Sequence, residues 1–373
     1  MASINTISQS VKYGLHVTVT WPGTPLPKFR KFCWTFPAIV LQIYQYSYIF
    51  SHFESGNVIE TADNLSITVA FTLMTLKLCI IWAQPRLVSL ILSTMEEECR
   101  KYAFLDTNNF ILKAANRSYR FTSIVIYIFL FAAAIHMSST FIFRDRSETR
   151  ELMLKMNLPF DTSESPIYEF VISMQIVYQT VTAYSFGVFA ALLLMVVLHL
   201  GCQIDIMCHA LMEIPYKRKE QLKFFISRHQ EIIVFANRIE KLFTYMALGQ
   251  LLSNTMISCI LGYTIVMQIQ MGNGLLPSMK YIMFYIGVCL ELFVYCYAGE
   301  YLSSKSQLIN DTAYKFLWYN LQPNEIRLLL LVILRSQKGF TLTFGKFANL
   351  SLESFMSIMK GSASYISVLL AMT

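Results

Sequence analysis

Seven stretches of this chain are too apolar and too long for a small soluble domain to accommodate. They fall at roughly 32–53, 58–83, 118–143, 167–200, 240–269, 278–302 and 350–372. A helix that crosses a bilayer needs about 20 mostly apolar residues. Inside lipid every backbone N–H and C=O must be satisfied within the protein, which leaves a helix as the natural form for each stretch. Composition agrees: 55% of the 373 residues are hydrophobic and 14% are charged, whereas a soluble domain carries about a quarter charged residues. The sequence therefore predicts an all-α membrane protein with seven transmembrane helices. The run "IRLLLLVILR" (Ile326 to Arg335) is too short to cross, and basic residues bracket it. It reads as a buried cytoplasmic helix. Span 4 and its extension run from Ile167 to Met212 without one Lys or Arg. Unbroken, that helix is about 70 Å long against a core of about 30 Å, so its excess should project into the cytoplasm.

Orientation follows from the basic residues, which concentrate on the cytoplasmic side of membrane proteins. The segments before span 1, between spans 2 and 3, around the link of spans 4 and 5, and between spans 6 and 7 hold 23 of the 30 Lys and Arg. The opposite loops hold four: Arg144, Arg146, Arg150 and Lys155. The N-terminus is thus expected in the cytoplasm and, with seven spans, the C-terminus outside. A G protein-coupled receptor also has seven spans, but its N-terminus is outside. "FRDRSE" (Phe143 to Glu148) superficially matches that family's acidic-arginine pair, yet it lies in the least basic loop set. Span 7 has no Asn-Pro-x-x-Tyr.

The first 29 residues lack the basic-then-apolar pattern of a secretory signal, so no cleaved leader is expected. Most of the eight cysteines lie in apolar runs and none lies in a segment read as extracellular, so structural disulfides are not expected. His199, Cys202, Cys208 and His209 are residue types that suit zinc. They occupy helical positions, however, and Cys208 and His209 point to different faces, so they read as ordinary interfacial residues. The chain has no Gly-x-Ser-x-Gly, His-Glu-x-x-His or phosphate-binding glycine loop. An enzyme is not expected, and neither is a cofactor, a metal or a nucleic-acid partner.

Two regions carry candidate function. On the terminal helix, Ser354, Ser357, Gly361, Ser364, Val368 and Ala371 recur at steps of three and four, which makes one side small and partly polar. Such a stripe suits close helix packing in lipid. It also suits a pore wall, which requires several subunits with this helix at the axis. Val368 and Met372 would then form apolar rings able to close a pore by dewetting. Lys360 lies mid-helix, where a lipid-facing charge is costly, and should snorkel inward or face a polar interior. The outer halves of four spans hold the second region. Span 2 offers Thr68, Phe71 and Thr72. Span 3 offers His136, Met137 and Thr140. Span 4 offers Met174, Tyr178 and Val181. Span 6 offers Tyr281, Phe284, Tyr285 and Val288. Aromatic and methionine side chains with a few hydroxyls and one imidazole suit a small, largely apolar ligand, although aromatic residues fill membrane bundles generally.

The last hundred residues carry a family resemblance. "LFVYCYAGEYLSSKSQLINDTAYKFLWYNL" (Leu292 to Leu321) resembles the sixth span and following loop of insect odorant receptors. The matching features are Tyr295-Cys296, Gly299, the Ser303, Ser304 and Ser306 group, Tyr314 and Trp318. Leu328 to Leu370 resembles the family's seventh segment, with Arg335 to Lys338, the Leu-Ser-Leu at 350–352 and Ser364-Tyr365. The resemblance implies a tetrameric, odorant-gated, non-selective cation channel in the plasma membrane of olfactory neuron dendrites. It implies a seventh segment split into a cytoplasmic part, Pro323–Lys338, and a pore-lining part, Lys346–Thr373. The implied organisation is a cytoplasmic N-terminal segment (1–31), spans 1–6 with an outer-half odorant pocket (32–305), a cytoplasmic loop and anchor helix (306–345), and the pore-lining helix (346–373). Matching from Ser364-Tyr365 puts the family's hydrophobic gate on Val368 and Met372. The short link between spans 4 and 5, and Ala371 where the co-receptor has glutamine, are similar to a tuning subunit that assembles with the co-receptor. Ala371-Met372 replaces the Gln-Phe ending of the related gustatory receptors.

Overall fold

The computed structural model describes residues 6–53, 58–106, 108–142, 152–162, 164–213, 218–271, 275–316, 319 and 321–372. These described residues form a bundle of ten α-helices: α1 (Gln9–Val17), α2 (Pro27–His52), α3 (Val58–Ala83), α4 (Pro85–Lys101), α5 (Phe110–Ile142), α6 (Ile167–Glu213), α7 (Arg218–Gln270), α8 (Leu275–Lys315), α9 (Pro323–Ser336) and α10 (Leu352–Met372). A two-stranded hairpin, β1 (Thr343–Phe344) with β2 (Ala348–Asn349), separates the last two helices. The chain is thus a multi-pass, mostly helical membrane protein. Among the described residues, five helices are long and apolar enough to cross: α3, α5, α6, α7 and α8. Helices α2 and α10 coincide with the expected spans 1 and 7, and each carries charges. The first starts with Lys28, Arg30 and Lys31, and the second carries Glu353 and Lys360.

Helix α6 is the mast of the bundle. It is one unbroken helix of 47 residues, so the run free of Lys and Arg is helical throughout. Every residue from Ser185 to Ile204 is buried, because α5, α7 and α8 wrap this half and α1 covers what they leave. Helices α7 and α8 run 53 and 41 residues, well beyond the spans expected of them. Their extra length packs with α4, α9 and the far half of α6 at the Lys- and Arg-rich end of the molecule.

Polar side chains mark where the elements begin. Asp106 accepts hydrogen bonds from the Phe110 N–H (2.5 Å) and the Ile111 N–H (2.9 Å), satisfying two orphan donors at the start of α5. Gln322 and Glu325 form a capping box at the start of α9, with Pro323 in the first turn, where its missing N–H is no loss. Helix α9 covers the expected buried run Ile326 to Arg335. It buries Leu329 and Val332 but leaves Leu328, Leu330, Leu331 and Leu334 exposed.

The basic end is held by a polar network. The Glu98 carboxylate takes the His199 Nε2 at 2.9 Å on one oxygen and the Arg228 Nη1 at 2.8 Å on the other. Arg228 also donates to Gln203 and Glu231 and lies 4.1 Å from the Tyr102 ring centre. Burial pushes the Glu98 carboxyl up, but the His199 hydrogen bond and the Arg228 charge outweigh it and hold the group at about 2. His199 is therefore a structural bridge. Its Nδ1 meets the Thr6 hydroxyl at 2.8 Å, which ties the chain start to α6.

The terminal helix is seated through two glycines. A Cβ on Gly299 of α8 would overlap the Leu350 carbonyl oxygen, and a Cβ on Gly262 of α7 would overlap the Ile366 side chain. Backbone cannot move aside as a side-chain tip can. Gly299→Ala is therefore expected to destabilise the protein by about 1–3 kcal/mol, and Gly262→Ala by clearly less. Melting of the detergent-solubilised protein, followed by size-exclusion fluorescence, checks the order. Equal melting of the two variants and the parent would contradict this account of how α10 is seated.

Candidate functional site

A cavity of about 100 Å³ lies in the bundle, lined by α3, α5, α6, α7 and α8. Its wall is almost wholly apolar: Ile67, Ala70, Phe71, Leu73, Phe129, Ala132, Ala133, Phe186, Ile257, Met283, Phe284 and Val288. Two polar features interrupt it. Toward the α5 and α6 side, the Gln179 Nε2 and the His136 Nδ1 lie 2.8 Å apart, and the His136 ring meets Phe284 edge-on at 6.2 Å. At the opposite end, Asn254 and Glu291 reach the wall. An apolar chamber with a few placed polar groups is the usual form of a small-molecule site.

Glu291 belongs to a buried polar knot that joins three helices. The Lys77 ammonium on α3 donates to a Glu291 oxygen on α8 and to the Gln250 carbonyl on α7. The Gln250 Nε2 donates to the other Glu291 oxygen at 2.8 Å and to the Asn254 Oδ1 at 2.5 Å. The Asn254 Nδ2 donates to the Val288 carbonyl at 3.0 Å. Lys77 and Gln250 are fully buried. The Lys77 ammonium also lies 5.0 Å from the Phe186 ring centre and 5.3 Å from that of Tyr295. A charge at this depth is tolerated only when paired and hydrogen-bonded, and each oxygen of Glu291 here has a donor.

Of the thirteen ligand-contact candidates, four line this cavity: Phe71, His136, Phe284 and Val288. Tyr178 stands behind Phe71, edge to face at 4.8 Å, and lines a smaller cleft that Phe71 shares with Trp34, Met74 and Thr182. The others point elsewhere. Thr68 is buried against its own helix and donates to the Asn64 carbonyl. Thr72 pairs with the Tyr46 hydroxyl at 2.9 Å, toward α2. Met137 accepts the Thr180 hydroxyl. Met174 is exposed and Val181 half-buried. Tyr281 lies under the Lys280 ammonium, itself paired with Asp63 at 2.8 Å. Tyr285 is half-buried beside the core. The side chain of Thr140 and the residue Trp318 lie outside the described residues. The other lining residues were not among the candidates, including the polar Gln179, Thr182, Asn254 and Glu291 and the aromatic Phe129 and Phe186. Lys77 and Glu291 carried a usable signal, since an ionisable residue inside an apolar span marks a site.

On α10 the small stripe faces away from its own bundle. Ser357, Ser364, Val368 and Ala371 are exposed, and a Cβ on Gly361 would meet nothing within 4 Å. The helix packs instead through Phe355, Ile358, Ser362 and Ile366. Within one chain, then, the stripe is not a packing face. Lys360 is also exposed, and the Met372 side chain lies outside the described residues.

These features can be set beside known proteins. The profile of the family described as 7tm Odorant receptor matches residues 57–363. Odorant receptor 22c of Drosophila melanogaster is 28% identical over 151 residues, covering 40% of this chain and 36% of that protein. Odorant receptor 13a of the same organism is 30% identical over 161 residues, covering 40% and 38%. The odorant receptor coreceptor of Ooceraea biroi is 23% identical over 155 residues, covering 40% and 31%. The chain thus spans under two fifths of the length of these curated relatives in alignment. Over its whole length the fold is similar to the olfactory receptor OR5 from Machilis hrabei, with a TM-score of 0.77, 14% identity and 97% of each chain covered. The same receptor in complex with eugenol gives a TM-score of 0.72, with 97% of this chain and 98% of that one covered. By the extent of the profile match, the chain belongs to the insect odorant receptor family, related to but distinct from the co-receptor.

Proposed function

We propose that this chain is an odorant-specific subunit of a ligand-gated, non-selective cation channel. A small volatile enters the cavity between α3, α5, α6, α7 and α8, and its binding opens a central pore lined by α10. The reading rests on one observation: an apolar chamber between the helices of the bundle, with the His136–Gln179 pair on one side and Glu291 at the other end. The eugenol complex of the Machilis hrabei receptor lends support, as a member of this fold that takes a small organic ligand. In this reading the chain crosses the plasma membrane seven times, with α2 and α10 as the first and last crossings. Its N-terminus is cytoplasmic, and it assembles with co-receptor subunits as a tetramer in olfactory neuron dendrites. Residues 1–31 and 306–345 are cytoplasmic, 32–305 hold the pocket, and 346–373 line the pore. Ser357, Gly361 and Ser364 face the conduction path, and Val368 and Met372 form the gate.

Co-expression with a co-receptor in a cell lacking both, followed by a volatile panel under voltage clamp, tests the proposal. Odorant-evoked current that needs no nucleotide supports a channel. A second-messenger rise without current would point to a G protein-coupled receptor instead. Epitope tags at both ends, stained with and without permeabilisation, report topology. Only the C-terminal tag is expected to stain on intact cells, and an N-terminal tag visible there would refute the orientation.

The pocket is expected to prefer small, neutral volatiles that tolerate aromatic neighbours. Ring–ring contact contributes roughly 0.5–1.5 kcal/mol beyond burial, so Phe284→Ala should weaken odorant potency by up to about tenfold. Maximal current should change less. Tyr178→Ala, acting through Phe71, is expected to shift potency by a smaller factor. Unchanged potency in both variants, at normal surface expression, would remove these residues from the site.

For the gate, Val368→Ser in this chain alone is expected to raise odorant-free current. A polar side chain lowers the cost of wetting a narrow apolar constriction. The rise is partial where co-receptor subunits supply the other gate residues. Cysteine substituted for Val368 and probed with a water-soluble thiol reagent separates gate from packing. Odorant-dependent block fits a gate, and an unmodified cysteine in the open state does not.

A further inference from the structure

The first 53 residues contain Lys12, Lys28, Arg30 and Lys31 and no Asp or Glu. The structure gathers this charge at one place, the turn between α1 and α2. Arg30 Nη2 donates to the His16 carbonyl at 3.1 Å, Trp34 Nε1 to the Val17 carbonyl at 3.0 Å and Trp82 Nε1 to the Thr18 carbonyl at 3.1 Å. The Lys31 ammonium lies 5.4 Å from the Trp82 ring centre and the Lys12 ammonium 5.3 Å from that of Trp21. Arg86, exposed, opens α4 just beyond Trp82. None of these five cations has an ion-pair partner among the described residues. Beyond Asp63, the rest of α3 and the start of α4 offer none either, since residues 64–95 contain no carboxylate.

The depth of the turn is fixed by α6. Gly14 of α1 rests on Val188, which lies about 30 Å along α6 from its Ile167 end, one thickness of a hydrocarbon core. Three indoles at that level match the interfacial belt of membrane proteins. Beside the cations, Phe29, Phe32 and Phe36 are 65%, 59% and 56% exposed on one face of α2. Unpaired positive charge thus adjoins an uncovered aromatic strip. That pairing fits a molecule with an anionic head and apolar tails.

We propose that the α1–α2 turn binds the headgroup of an anionic phospholipid. Lys28, Arg30 and Lys31 hold its phosphate, and an acyl chain lies along Phe29, Phe32 and Phe36. This rests on the cytoplasmic placement of the N-terminus, because anionic lipids populate that leaflet. The aromatic strip favours a lipid over a soluble phosphate ester, which would leave it uncovered.

The assembled channel, in phosphatidylcholine nanodiscs doped with a photoactivatable phosphatidylserine or phosphatidylcholine, tests the site by mass mapping of cross-linked peptides. Nanodiscs present the same lipid on both faces, so the result does not depend on orientation in the cell, which the epitope tags decide separately. Each cation at an anionic surface contributes roughly a fivefold preference. Phosphatidylserine is therefore expected to label peptides within residues 12–36 at least about fivefold more than phosphatidylcholine. Lys28→Gln with Lys31→Gln leaves the Arg30–His16 bond intact and is expected to abolish most of that preference. Lys28→Arg with Lys31→Arg should keep it, which controls for folding. Equal labelling by the two lipids overturns the proposal, as does labelling unaffected by the glutamine pair. Loss of labelling on addition of soluble glycerophosphoserine would assign the site to a free anion, which also overturns it.

Discussion

A buried ammonium in an apolar bundle dictates much of what surrounds it. Lys77 is fully buried. Its charge is tolerable only because Glu291 and Gln250 supply oxygens and two rings present their faces. Those partners come from different helices, so the pair fixes the relative register of α3, α7 and α8. Apolar packing alone would tolerate a slide of one helix along another. A knot in which displacement strands a charge does not. The cavity exists next to this knot because the polar groups hold the helices apart by their own length, while small residues such as Ala70, Ala133 and Gly287 leave the space above unfilled.

The same knot ties the cavity to the last helix. Gln250 and Asn254 sit one turn apart on α7, and two turns further along Gly262 receives Ile366 of α10. Glu291 sits on α8, whose neighbouring Phe293 meets Phe355 of α10 edge-on at 5.6 Å. Any molecule that displaces Asn254 or Glu291 must move a hydrogen bond on a helix that α10 touches. Coupling between cavity and terminal helix therefore needs no long relay. Two helices carry both contacts.

Five of the spans were legible because α3, α5, α6, α7 and α8 are long and apolar, and the reach of α6 because the run Ile167–Met212 carries no Lys or Arg. The helix α9 was legible from its bracketed leucine run. Helices α1 and α4 were not read. They are amphipathic and short of a crossing length, so hydropathy alone passes over them, although Val11, Gly14 and Leu15 already show the spacing of a buried face. The cavity was legible in part. Choosing residues by depth and type finds α3, α5, α6 and α8, misses α7 with its Asn254 and Ile257, and cannot fix helix rotation. An offset of one position turns a side chain by about 100°. Tyr178 was chosen where Gln179 reaches the wall, and Tyr285 stands beside Phe284, which does. The knot escaped for a different reason. Lys77 and Glu291 each mark a site, but they lie 214 residues apart, and nothing in either span names the other as its partner.

The two ends of the bundle differ in how tightly they are held. From Ser185 to Ile204 the mast is buried on all sides, and charged or polar bridges clamp this end: Glu98 with His199 and Arg228, and Asp205 with Lys305 at 2.6 Å. Before Ser185 it is only partly covered, with Phe170, Met174 and Val177 exposed, and the cavity lies alongside. Opening motions draw on regions with fewer buried contacts, and a fully packed core resists them. Rearrangement on filling the cavity should therefore be confined to the Ile167 side of the knot and to α10, which touches α7 and α8 but not the mast to any extent. The clamped end then serves as the fixed body against which those helices move. That division explains why one chain carries both a dense charge network and a loosely filled chamber.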